Sequence, residues 1–147
     1  MSVAQQLQED IKITMKSGEK EKLLVLRTLH SDIKNFEING KRTASDEDIF
    51  TILAKGIKTR LESADQYKSA GREDLAMQEE FEIDIYKRYQ PKQLSPDELK
   101  TIVDDAVAKS GASGAKEMGK VMAILMPIVK GKADGKLVND LVKAALV

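Results

Sequence analysis

The 147 residues contain no cysteine and no tryptophan, a single histidine, and only three phenylalanines and three tyrosines. Without cysteine there are no disulfides, no thiolate metal sites and no thiol chemistry. With aromatics at 4 %, a core has to be assembled from Leu, Ile, Val, Met and Ala, a composition that favours helices over sheets. The GxGxxG, Walker, HExxH and GxSxG patterns are missing too, so dinucleotide, nucleoside triphosphate, zinc-protease and serine-hydrolase chemistry lack their usual carriers. No apolar run approaches the roughly 20 residues that span a bilayer. Met1–Leu7 has neither the basic nor the apolar region of a signal peptide. These features predict a soluble, cytoplasmic protein without a membrane partner.

What is present is charge and helical periodicity. Charged residues make up 33 % of the chain and balance to zero, but unevenly. From Lys109 onward, seven lysines face only Glu117, Asp134 and Asp140, a balance of +4. That bias is far below the footprint of a dedicated nucleic-acid binder, and DNA is not an expected partner.

The periodicity predicts an all-α chain. A first helix runs from Val3 to Lys16 with Val3, Leu7, Ile11 and Met15 on one stripe, and Ser17-Gly18 ends it. A second covers Glu19 to Asn39, with Leu26, Leu29, Ile33 and Phe36 inward. Ser45, followed by Asp46, Glu47 and Asp48, opens a third helix as N-cap and dipole partners. Its inward residues are Ile49, Leu53, Ile57, Leu61 and Ala64. A fourth starts near Arg72 and carries Leu75, Phe81, Ile85 and Tyr89. Pro91 ends this part, and all six aromatics precede it. The expected architecture is therefore a four-helix subdomain over residues 1–92, a linker at Gln90–Leu94, and a small three-helix subdomain over 93–147.

In the second part, Ser95-Pro96 supplies an N-cap followed by proline at the first helical position, with Glu98 at the capping-box position. The sixth helix, with Met118, Val121, Met122, Leu125, Ile128 and Val129, reads as the central element, and Pro127 has to kink or end it. Asp134 is the expected cap of the last helix.

Chemistry has few carriers. His30 has no evident nucleophile or ligand partner and reads as a half-exposed helix residue. Acidic pairs such as Glu79-Glu80 and Asp104-Asp105 read as solvated helix faces. No catalytic, cofactor-binding or metal-ligating residue is therefore assigned. The most specific feature is a glycine-bearing turn with Lys130, Gly131, Lys132 and Lys136 at the start of the last helix. Free backbone N–H groups and lysines at a helix N-terminus hold phosphate. Lys116 and Lys120, on the preceding helix, are expected to extend the patch. With neither arginine nor aromatics in this part, contact is limited to RNA backbone and shape. The alternative is a turn made basic for solubility.

The segments Met118-Gly119-Lys120-Val121-Met122, Met126-Pro127, and Val129-Lys130-Gly131-Lys132-Ala133-Asp134-Gly135-Lys136-Leu137-Val138 resemble the GatB/YqeY family. Leu26-Arg27-Thr28-Leu29, Ile33-Lys34-Asn35, Tyr67 with Ala70–Leu75, and Pro91–Ser95 agree with the same pattern, while Gln90 departs from the family's leucine. The resemblance implies kinship with the tail domain of the GatB subunit of the tRNA-dependent amidotransferase. It also implies an accessory role in contacting tRNA, beside an amidotransferase-related protein. Glutamine-dependent carbon–nitrogen ligase activity attaches to the chain by family association only, because the active centres lie in other domains and subunits. A protein–protein adaptor, docking through the third and fourth helices or the apolar sixth, is the alternative function.

Overall fold

The computed structural model describes all residues, Met1–Val147, as seven α-helices with one 3-10 turn and no strand. The chain forms two compact units, Met1–Gln90 and Pro91–Val147.

The first unit holds α1 (Val3–Ser17), α2 (Lys20–Gly40), α3 (Asp46–Ser69) and α4 (Glu73–Lys87). Its core is built from Leu7, Val25, Leu26, Leu29, Ile33, Ile49, Leu53, Ile57, Ile83, Ile85, Tyr86 and Tyr89. Caps fall where the chemistry requires them. The Ser45 hydroxyl accepts from the Asp48 N–H, and the Asp48 carboxylate accepts in return from the Ser45 N–H at 2.9 Å. Arg42 also binds Asp48 and holds its carboxyl well below the usual range, so this pairing persists wherever the protein is near neutral. The α1–α2 turn is closed by Gly18 at φ +77°, and the α3–α4 turn by Gly71 at φ +73°.

Two expected core positions face out for one geometric reason. Met15 is 55 % and Leu61 49 % exposed. Each is the fourth rung of an i, i+4 ladder, and twelve residues at 3.6 per turn rotate about 120° away from the first rung. Thr14 takes the place of Met15, buried at 1 %, and Ala64 closes the α3 stripe. Phe81 likewise stays 36 % exposed, while Ile83 and Tyr86 turn inward.

The close approach of α4 to α3 depends on Gly56. A Cβ at that position would lie 2.6 Å from a Tyr86 ring carbon. The Arg60 guanidinium covers the same ring 4.3 Å from its centroid, and donates to the Gly56 carbonyl at 3.1 Å and to Glu82 at 3.3 Å. The Tyr86 hydroxyl is buried without a hydrogen-bond partner, and burial pushes its pKa up.

The second unit holds α5 (Pro96–Ser110), the 3-10 turn Ala115–Glu117, α6 (Met118–Val129) and α7 (Gly135–Ala145). Ser95 caps α5 by accepting from the Glu98 N–H at 3.1 Å, with Pro96 in the first turn. The core comprises Leu99, Val103, Ala106, Val121, Leu125, Val129, Val138, Val142 and Leu146. Here α5, and not α6 as expected, is the helix against which both others rest. Only one narrow stripe of α6 is buried (Val121, Leu125, Val129), leaving Met126 39 % and Ile128 43 % exposed. A three-helix unit offers each helix two neighbours at most, so an apolar helix retains a solvent face. Pro127 sits in the last turn, and α6 ends two residues after it.

Gly56→Ala is expected to destabilise the protein by about 1–3 kcal/mol through overpacking. Tyr86→Phe, which removes an unpaired buried hydroxyl, is expected to leave stability equal or raised by about 1 kcal/mol. Urea unfolding midpoints of the two variants check both signs.

Candidate nucleic-acid interface

The turn between α6 and α7 is built by the end of one helix and the start of the next. After Val129 the chain leaves the helical region at Lys130 (φ −57°, ψ 123°), and Gly131 adopts φ +77°. A glycine takes that left-handed value without the strain a side chain would bring. The Lys132 N–H donates back to the Val129 carbonyl at 2.8 Å, closing the turn.

A second segment holds the turn from outside. The Gln93 side-chain amide donates to the Gly131 carbonyl at 2.8 Å and to the Pro91 carbonyl at 3.0 Å. The Leu94 N–H donates to the Lys132 carbonyl at 2.9 Å, and the Leu94 side chain packs on the core of this unit. Residues 91–94, expected as a linker, thus belong structurally to the second unit and brace the lysine turn. Nothing local in the sequence signals this, because Gln93 and Gly131 are 38 residues apart.

The lysines separate into two places. Lys130, Lys132 and Lys136 are exposed around the turn, and none of them pairs with a carboxylate. Lys116 and Lys120 lie at the opposite end of α6. Ten residues of helix separate Lys120 from Lys130, about 15 Å along the axis. Lys120 is engaged with Glu117 at 3.8 Å. Asp134 occupies the N-cap position of α7, but its side chain makes no capping hydrogen bond. The first N–H groups of α7 therefore stay open to solvent beside Lys136, with the positive end of the helix dipole behind them.

Chemically, this arrangement presents three point cations and a few backbone donors. It suits an anion held through oxygen atoms and offers no stacking surface or bidentate fork for reading bases. No three His, Asp or Glu side chains converge in a way that would hold a metal ion. His30 is half-buried on α2.

Residues 4–146 match the family described as Yqey-like protein. The chain belongs to that family. This agrees with the resemblance carried by the α6–α7 turn and the upstream segments, and the YqeY domain is itself related to the GatB tail. The chain is similar to "Altered inheritance of mitochondria protein 41, mitochondrial" of Pyrenophora tritici-repentis, 29 % identical across 89 % of this chain and 73 % of the relative. It is also similar to proteins of the same name from two yeasts. For Vanderwaltozyma polyspora the identity is 34 %, across 76 % of this chain and 64 % of the relative. For Saccharomyces cerevisiae it is 33 %, across 56 % of this chain and 45 % of the relative. These names correct the cytoplasmic expectation, since the relatives are named as mitochondrial proteins. No helix is long and apolar enough to cross a membrane.

Gln93→Ala removes both side-chain bonds that brace the turn, while leaving the Leu94–Lys132 bond. The expected cost is about 1 kcal/mol, with faster amide exchange at Gly131–Lys136 and unchanged exchange in α1–α4. Residue-resolved hydrogen exchange reads this directly.

Proposed function

We propose that this YqeY-like protein is an accessory RNA-contacting module that holds tRNA through backbone phosphates at the α6–α7 turn. It would act beside an amidotransferase-related protein rather than as a catalyst itself. In this reading the N-terminal four-helix subdomain ends at Gln90 rather than at residue 92, and the three-helix tail-like domain begins at Pro91. The single observation that supports it most is the braced turn. Lys130 and Lys132 on the turn and Lys136 at the start of α7 pair with no carboxylate, and the turn backbone is tied at Gly131 and Lys132 by Gln93 and Leu94. A surface held in this way loses less freedom on binding than a mobile loop does. Lys116 and Lys120 remain secondary contacts at the far end of α6.

A second reading, a protein–protein adaptor, is favoured by the exposed apolar side chains of Met126, Ile128 and Leu137.

The test is tRNA binding followed across a salt series. Each phosphate contact adds about −0.7 to −0.9 to the slope of log K against log salt. Changing Lys130, Lys132 and Lys136 together to Ala is expected to flatten that slope by about 2 to 3. Lys116→Ala and Lys120→Ala are expected to do much less. An affinity and slope unaffected by the triple change would remove RNA contact from this turn and leave the adaptor reading.

A further inference from the structure

The first unit contains a groove that the RNA reading does not use. It lies between the α1–α2 turn and the C-terminal half of α4, and consists of two adjoining hollows of ≈ 390 and ≈ 270 Å³. Lys22, Ile85 and Arg88 line both, so the two hollows share their middle. The larger falls within the range of about 300–1,000 Å³ occupied by small-molecule sites.

Its charges balance overall, but its hydrogen bonds are unevenly distributed. Six charged side chains line it, three of each sign. Two of the acids are engaged within the protein. Asp10 accepts from the Tyr89 hydroxyl and from the Gln6 amide, and Glu19 accepts from the Ser17 hydroxyl at 2.8 Å. Burial and the Asp10 carboxylate together push the Tyr89 pKa up, so the phenol stays protonated and remains a donor to Asp10. Glu21 is exposed in the first turn of α2, where it complements that helix's own dipole. Neither Lys22 nor Arg88 pairs with any carboxylate. The unspent hydrogen-bonding capacity at the shared middle of the groove is thus donor capacity, from one ammonium and one guanidinium.

Beside these donors the floor is apolar. Ile85 lies beneath it as a core residue only 2 % exposed, while Phe81, one turn earlier on the same helix, leaves 36 % of its surface open along the wall. The groove follows α4 from Phe81 to the helix end at Lys87, about 9 Å of helix, and closes at Tyr89 just beyond it, the length of a small molecule and short for a docked helix.

We propose that this groove binds a small organic anion, a phosphate monoester or carboxylate carrying an aromatic or short aliphatic body. Lys22 and Arg88 hold the anionic head, the guanidinium through its fork of donors. The exposed face of Phe81, above the buried Ile85, receives the apolar body. Both features are required. Inorganic phosphate satisfies the head alone, and a neutral phenol the floor alone.

The test uses the full chain and three probes: phenyl phosphate, inorganic phosphate and phenol, titrated against the Ile85 methyl resonances. Phenyl phosphate is expected to bind at least tenfold tighter than either of the others and to shift Ile85 first. Changing Lys22 and Arg88 together to Gln is expected to weaken phenyl phosphate at least tenfold. Phe81→Ser is expected to bring it to the level of inorganic phosphate. The Lys130, Lys132 and Lys136 changes that test the RNA reading are expected to leave it untouched. Two results on the unmodified protein overturn the proposal: phenyl phosphate binding no tighter than inorganic phosphate, or shifts confined to the α6–α7 turn. Unweakened binding in the folded K22Q/R88Q variant overturns it as well.

Discussion

Tyr86 rests against the backbone of α3 because residue 56 has no side chain, and that contact fixes the rotation of α4. The helix contributes Ile83, Ile85 and Tyr86 to a core whose other members are aliphatic residues of α1, α2 and α3 and Tyr89, just past the end of α4. With Tyr86 seated, Phe81 and Arg88 line the groove beside α2 above the buried Ile85, and the Tyr89 hydroxyl donates to Asp10 of α1. Arg60 completes the seat by covering the ring and bonding both Gly56 and Glu82, so a half-buried guanidinium is satisfied by three partners. The unpaired Tyr86 hydroxyl is the cost of this arrangement, offset by the area that a large ring buries.

The second unit solves a different problem. It has no aromatic residue at all, and its core is a short set of leucines, valines and one alanine. Loops that project from so small a core are mobile unless their backbone groups find partners. The α6–α7 turn finds them in Gln93 and Leu94, which satisfy the carbonyls of Gly131 and Lys132. The turn held in this way carries Lys130, Lys132 and Lys136 exposed. Structure and proposed recognition share one set of contacts there.

Much of the fold was legible from local chemistry. The capping serines at 45 and 95, the glycine stops at 18 and 71, and the proline within the first turn of α5 act through neighbours a few residues away. The helix ends accordingly fall within a residue or two of expectation. Stripe positions were legible for about two turns and then drifted, as Met15 and Leu61 show, because a repeat of four is not a repeat of 3.6. What stayed hidden was non-local. That Gly56 faces Tyr86, that Asp10 binds Tyr89, and that Gln93 braces Gly131 depends on how helices pack, and no spacing in the chain encodes it. For the candidate site, the turn lysines were visible as composition. Their separation from Lys116 and Lys120 follows only from the length of α6.

The proposed contact of the α6–α7 turn with tRNA is tested most directly by titrating isotopically labelled protein with tRNA at low salt, reading backbone amides along the whole chain. The amides of Gly131, Lys132, Gly135 and Lys136 are expected to shift first and together, and to return when salt is raised. Perturbation that begins elsewhere and spares these four would contradict it.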